Sequence, residues 1–164
     1  LAKPNSLSLE KICSEILTNK QYTFHENITY VAIEGPQLST IAESKLNHAQ
    51  GFDVVGMTNM PEARIAREAE IRYQSLGMVT DYDAYNLEGD SIDVSRIIEV
   101  MKQMTKKSEN VIKDLIGLFD VYAMDDDPIL TCLDQSIVSD LKNVSDKTKQ
   151  DLSFILRRYT KKKN

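Results

Sequence analysis

Apolar residues recur along this chain in two rhythms. Over Ser8–Thr18, Leu9, Ile12, Cys13, Ile16 and Leu17 fall three and four apart, the spacing of a helix that buries one face. Tyr30-Val31-Ala32-Ile33 is a short apolar run closed by Glu34-Gly35-Pro36, the pattern of a buried strand. Thr40, with Glu43 three residues on, fits a capping box and predicts a helix that stops near Gly51. Phe52 to Gly56 reads as a second strand. Asn59-Met60-Pro61-Glu62 predicts another helix start, with Asn59 as the capping side chain and Pro near the first helical position. Ile65, Ala66, Ala69 and Tyr73 would form that helix's inner face. The chain then turns at Gly77, and the run from Leu76 to Val79 predicts a strand ending at Asp81.

After a polar loop, Asn86 to Asp90, an amphipathic pattern predicts a long helix from about Asp93 to Phe119. Its stripe is Val94, Ile97, Ile98, Met101, Met104, Ile112, Leu115 and Phe119. Asp125-Asp126-Asp127 with Pro128 reads as a solvated loop. Helical patterns around Leu133–Leu141 and Asp146–Tyr159 finish the chain. Strands alternating with helices indicate an α/β fold with helices flanking a sheet. Only three or four strands are visible, which is thin for a complete fold of this class.

Composition narrows the function classes. The chain has 164 residues, 41% hydrophobic and 27% charged, enough for one domain with a sizeable core. A formal net charge of −5 argues against a nucleic-acid partner, whose footprint is a basic patch. The basic run Lys161-Lys162-Lys163 reads as a solvated end. Cys13 and Cys132 are the two cysteines. Their separation implies neither a disulfide framework nor a zinc site, so reduced thiols and a cytoplasmic setting are expected. No apolar run approaches the roughly 20 residues that span a bilayer, and no membrane partner is expected.

Candidate chemistry gathers at three corners. At Met78-Val79-Thr80-Asp81-Tyr82-Asp83, an apolar run ends in two carboxylates two residues apart. In an extended segment both point the same way, and one of two neighbouring carboxyls can keep a proton and act as an acid. Asp-x-Asp also occurs in plain turns, in divalent-metal sites and in aspartyl nucleophiles. The other corners are Glu34-Gly35-Pro36-Gln37-Leu38-Ser39-Thr40 and Gly56-Met57-Thr58-Asn59-Met60-Pro61-Glu62. Ligands of open α/β sheets gather beyond strand ends. The Thr58 hydroxyl and the backbone ahead of Pro61 suit an anion. An anion beside carboxylates suggests joining that anion to a group whose departure needs a proton.

These blocks carry a resemblance. Glu34–Ser44, with its Glu-Gly-Pro-x-x-Ser-Thr-x-Ala-Glu-Ser pattern, resembles a signature of the trimer-forming purine nucleoside phosphorylases. Val55–Ala63, with Ala66-Arg67-Glu68-Ala69, is similar to their next block. Met78–Asp83 resembles the 5′-methylthioadenosine phosphorylase branch. The similarity runs from about residue 5 to 160. It implies a three-layer αβα fold with a central mixed sheet, of which residues 1–164 form the C-terminal half as a single domain.

The resemblance also implies roles. Such enzymes cleave an N-glycosidic bond with phosphate, in purine and methionine salvage, with inorganic phosphate as co-substrate and no cofactor or metal. Asp83 would protonate or hydrogen-bond purine N7, and Asp81 would help hold the base. A positioned acid of this kind contributes about 10²–10⁴-fold. Asp83 stands where 6-oxopurine enzymes commonly carry Asn, which points to adenine-type bases. Leu38 would pack on the base. Met57 would lie under the ribose, Thr58 would contact phosphate, and Val94, Ile97 and Ile98 would lie near an apolar 5′-group. Without the resemblance, Met57 reads as a plain core methionine and Val94, Ile97 and Ile98 as core positions of their helix.

Several features depart from the family. Gln37-Leu38 replaces a common Arg-Phe pair, so Leu38 offers no aromatic face to a base and the choice of base stays open. Tyr85 stands where many relatives have Trp, and a Cys-x-Cys seen in some relatives is absent around Asp127–Ile129. His25 and His48 match no catalytic role and are expected to be structural or exposed. The family's Gly-rich phosphate loop and Arg-His pair, which belong to its N-terminal half, have no counterpart here. The isolated chain is therefore expected to be inactive without a complementary N-terminal half. A homo-oligomer, trimer or hexamer, is what the resemblance implies. The alternatives are a 5′-methylthioinosine or general purine nucleoside phosphorylase, an inactive half that serves as an interaction module, and, more distantly, a magnesium-dependent Asp-x-Asp hydrolase.

Overall fold

The computed structural model describes residues 2–84, 94–118 and 127–160. Helix α1, Leu7–Asn19, starts where the Ser6 hydroxyl accepts the Leu9 N–H, which satisfies one of the free donors of a helix start. Its apolar stripe becomes the principal core: Leu9, Ile12 and Ile16 pack with Val111 of α4, Val94–Leu118. Leu17, Tyr22, Leu115 and Leu118 close around them. Lys20 pairs with Asp114 at 2.7 Å across the same helices.

Strand β1, Tyr30–Ala32, helix α2, Ile41–Ala49, and strand β2, Val54–Gly56, form a β-α-β unit. The strands run parallel, with Tyr30 opposite Val54, Val31 opposite Val55 and Ala32 opposite Gly56. Parallel neighbours need a crossover, and α2 provides it. The Thr40–Glu43 capping box forms as the sequence predicts: Thr40 accepts the Glu43 N–H, and the Glu43 carboxylate accepts the Thr40 N–H.

Helix α3, Glu62–Glu68, is shorter than expected and starts differently. Asn59 contributes its backbone carbonyl to the Ala63 N–H at 2.8 Å. Its side chain does not cap the helix but accepts from the hydroxyls of Tyr73 and Ser75. The helix ends because Glu70 takes a left-handed conformation, with φ 54°, that a non-glycine residue adopts at a cost. Tyr73 therefore lies beyond α3 and not on its inner face.

What fixes Glu70 is a side-chain network that a local pattern cannot show. Arg158 grips both its oxygens, at 2.9 and 2.7 Å, and the Leu133 N–H donates to it at 3.2 Å. Arg158 also bonds Asp134, which accepts from the Tyr159 hydroxyl at 2.8 Å. Burial alone would raise the Glu70 carboxyl, but the Arg158 and Leu133 donors and the guanidinium charge hold it below the ordinary range.

Three sequence expectations need correction. Residues 71–80 form no strand, and Leu76, Met78 and Val79 are 37%, 48% and 59% exposed. A strand exists only with a neighbour to pair its backbone groups in a ladder; here the Ser6 N–H donates to the Tyr73 carbonyl at 2.7 Å, and no ladder follows from it among the described residues. In place of the expected central mixed sheet, the described residues form a two-stranded parallel sheet within a mostly helical structure. The long helix matches its predicted bounds closely, but its buried position is Val111, while Ile98, Met101 and Ile112 are exposed. The helix packs along one edge of its apolar stripe.

The C-terminal region departs as well. The Leu133–Leu141 pattern forms isolated turns, followed by a 3₁₀ turn at Leu141–Asn143 that Asp140 caps. The second pattern splits at Leu152 into α5, Asp146–Asp151, and α6, Ser153–Thr160. Asp127 is not solvated. It is buried, caps a 3₁₀ turn at Pro128–Thr131, and accepts hydrogen bonds from Ser6 and Ser8. Residues 86–90, Asp125, Asp126 and Phe119 lie outside the described residues. No described helix is long and apolar enough to cross a membrane.

Candidate functional site

The structure joins the first sequence block to each of the other two. The first and second meet where the Met57 sulfur lies against Gly35: a Cβ added to Gly35 would stand 2.8 Å from Sδ. Tyr30, on the strand ahead of the first block, runs its side chain over Gly56 and reaches Thr58 in the second. The first and third meet at Asp83. Its Oδ2 accepts the Ser44 hydroxyl at 2.7 Å, and its Oδ1 accepts the Ala84 N–H at 2.9 Å. Both carboxyl oxygens are thus anchored, one by helix α2 and one by the local backbone.

Asp81 does not share this arrangement. A bend at Asp81 breaks the extended geometry that would put the two carboxylates on one face. Its Oδ1 accepts from the adjacent Thr80 hydroxyl at 2.6 Å, and the residue is exposed. Asp83 is half-buried. Among the described residues, no three His, Cys, Asp or Glu side chains gather closely enough to share an ion.

The Thr58 corner is already partly satisfied. The Thr58 N–H donates to the Tyr30 hydroxyl at 3.1 Å, and the two hydroxyls lie 3.2 Å apart. An anion arriving here must displace the Tyr30 hydroxyl or bond to it. The helix start behind the corner offers less than the sequence suggested. Pro61 has no N–H, and the Ala63 N–H is taken by Asn59.

The remaining sequence candidates are largely exposed. Leu38 is 69% exposed, Met57 40% and Ile98 48%; Ile97 is half-buried. The Val94 side chain lies outside the described residues. His25 and His48 are both exposed. Cys13 and Cys132 are free thiols, each pushed up by burial, and Cys132 donates to the Arg67 carbonyl.

Beside Asp83, a cleft of about 30 Å³ lies between α2 and the sheet, lined by Ser44, His48, Phe52, Val55 and others. That volume suits about one water molecule. A larger depression of about 370 Å³ lies along α1, by Leu7, Glu10 and Lys11. None of the sequence candidates lines it.

Sequence reasoning missed two partners in this geometry. Ser44 was visible only as part of a signature, yet it is fully buried on a helix that is otherwise largely exposed. A small polar residue at an inward helix position was the available signal. Tyr30 was read as a strand residue, and its reach across Gly56 had a signal in the glycine that ends the facing strand.

Comparison with known proteins places this geometry. Residues 4–117 match the family model described as the Phosphorylase superfamily. The chain is 48% identical over 101 residues to the S-methyl-5′-thioadenosine phosphorylase of Cereibacter sphaeroides, covering 62% of this chain and 35% of that protein. It is 38% identical over 140 residues to the one of Thermosynechococcus vestitus, covering 84% and 47%. The chain thus spans about half or less of the length of the curated relatives it matches. Among solved structures, a methylthioadenosine phosphorylase from an Antarctic soil metagenomic library superposes with a TM-score of 0.85 at 33% identity, over 94% of this chain and 55% of that one. A double mutant of the adenosine/methylthioadenosine phosphorylase of Schistosoma mansoni, in complex with adenine, gives 0.67 at 26% identity, over 76% and 50%. With residues 4–117 matching its family model, the chain belongs to the phosphorylase superfamily.

Proposed function

We propose that this chain is the base-recognising half of a 5′-methylthioadenosine phosphorylase. The observation that carries the reading is Asp83, a half-buried carboxyl held by Ser44 and the Ala84 N–H. In the proposed reaction, phosphate oxygen bonds to C1′ of the ribose as the C1′–N9 bond breaks. The electron pair goes to the purine, and a proton from Asp83 goes to N7. The products are adenine and 5-methylthioribose 1-phosphate. Departure of an electron-rich base from an oxocarbenium-like centre needs that proton. The unprotonated Asp83 oxygen accepts from the 6-amino group.

In this reading, Asp81 and Leu38 flank the base and Met57 packs under the ribose. Val94, Ile97 and Ile98 line the 5′-methylthio group, and Thr58 contributes one phosphate contact. Phosphate is the co-substrate, and the working protein is a homo-oligomer. The reading includes completion by an N-terminal half that supplies most phosphate contacts. Two features support that part: the two-stranded sheet, and the exposed apolar run at Leu76, Met78 and Val79, which would gain a pairing neighbour.

Base choice is tested by steady-state assay of the completed protein with 5′-methylthioadenosine and 5′-methylthioinosine. Asp83→Asn, which accepts at one atom and donates at the other, is expected to shift preference toward the 6-oxopurine by about 10-fold or more. Unchanged preference would remove Asp83 from the base. Activity that requires magnesium and is lost to a chelator would favour the Asp-x-Asp hydrolase reading.

A further inference from the structure

The hydrogen bond between Ser44 and Asp83 joins residues 39 positions apart. Ser44 has no exposed surface, and its helix is fixed at its start by the Thr40 capping box, one turn earlier. A buried hydroxyl on a capped helix is a stiff reference point. The other anchor of Asp83, the Ala84 N–H, belongs to the adjacent residue and moves with it. It therefore orients the carboxyl only relative to its own loop.

The two anchors also differ chemically. A backbone N–H only donates. A serine hydroxyl both donates and accepts. In the structure both groups donate to Asp83, and a carboxyl oxygen accepts in either protonation state, so an acid proton on Asp83 stays available to the base while Ser44 ties the carboxyl to a separate helix.

We propose that Ser44 is a positioning residue: it holds the Asp83 carboxyl in one rotamer before and after proton transfer, and so fixes which oxygen faces the departing base. This rests on the base-protonating role proposed for Asp83. In this proposal the hydroxyl touches no reacting atom and acts on the reaction through Asp83. Misplacing a catalytic group by about 1 Å can cost about 10²-fold, so the effect of losing it is large enough to read.

The test has two arms. The first needs no substrate. Three-bond couplings from the backbone nitrogen and carbonyl carbon to the Asp83 carboxyl carbon report its χ1 rotamer in the labelled chain. Wild type is expected to show one rotamer. Ser44→Ala, which removes the hydroxyl without adding volume, is expected to show averaging, with thermal unfolding confirming that the variant stays folded. A single unchanged rotamer in the folded variant overturns the proposal.

The second arm is a double-mutant cycle on adenine release by the completed protein. Ser44→Ala is expected to lower kcat by about 10-fold or more with little change in KM for phosphate, and to add less than about 2-fold in an Asp83→Ala background. An equal loss in both backgrounds overturns the proposal. If Asp83→Ala leaves release unchanged, the reading of Asp83 as the acid fails, while the rotamer measurement still decides whether Ser44 orients it.

Discussion

A Cβ built on Gly56 would stand 2.2 Å from the Tyr30 hydroxyl oxygen and 2.8 Å from Cζ. Glycine ends β2 because the ring of Tyr30, from the start of β1, occupies the space above it and carries its hydroxyl to Thr58. Gly56→Ala must push the ring aside or spread the strands. Overpacking of this kind costs about 1–3 kcal/mol. The expected result is a lowered unfolding midpoint together with a large shift of the Thr58 amide resonance. Tyr30→Phe should move that amide with little loss of stability, because the contact lies near the surface.

The acid limb of stability should report Glu70 and Asp127. Burial would raise both carboxyls. Arg158 and Leu133 overcome that for Glu70, and the Ser6 and Ser8 hydroxyls, the Ile129 N–H and the Arg72 charge overcome it for Asp127, so both lie below the ordinary range when folded. The folded state then binds fewer protons than the unfolded one. Stability from these groups is full above the unfolded carboxylate values of about 4 and is lost as pH falls through the lower folded values. Urea midpoints measured from pH 7 down to pH 3 should fall at the acid end. Glu70→Gln should be less stable at pH 7 and show a shallower acid limb.

Asp127 joins the start of α1 to the turn at Pro128–Thr131. Asp127→Ala leaves the Ser6 and Ser8 hydroxyls and the Ile129 N–H without this acceptor. Buried donors left unsatisfied cost about 1–3 kcal/mol, so a loss of about 2–3 kcal/mol in urea unfolding is expected. Asp127→Asn, which retains one acceptor oxygen, should recover part of it.

Elements written in local spacing were legible in the sequence. The α1 stripe, the Thr40–Glu43 box and the bounds of α4 all follow from residues within a few positions of one another. Features fixed by distant partners were not. The end of α3 at Glu70 depends on Arg158, 88 positions away, and no glycine marks it. The run at Leu76–Val79 looks like a strand because its apolar pattern is real, but strand formation needs a pairing neighbour that the described residues do not provide. At the site, the blocks and their order were readable. The Ser44–Asp83 and Tyr30–Thr58 hydrogen bonds were not, because each spans two elements whose docking no local rule specifies.

The most direct test of the proposed function is phosphate-dependent release of adenine from 5′-methylthioadenosine. The chain would be assayed alone and fused to the N-terminal half of a phosphorylase relative, with and without Asp83→Ala. The account predicts no release by the chain alone. It predicts phosphate-requiring release by the folded fusion, reduced about 10²-fold or more by Asp83→Ala. Release by the chain alone, release that ignores phosphate or Asp83, or a folded fusion that releases no adenine would contradict it.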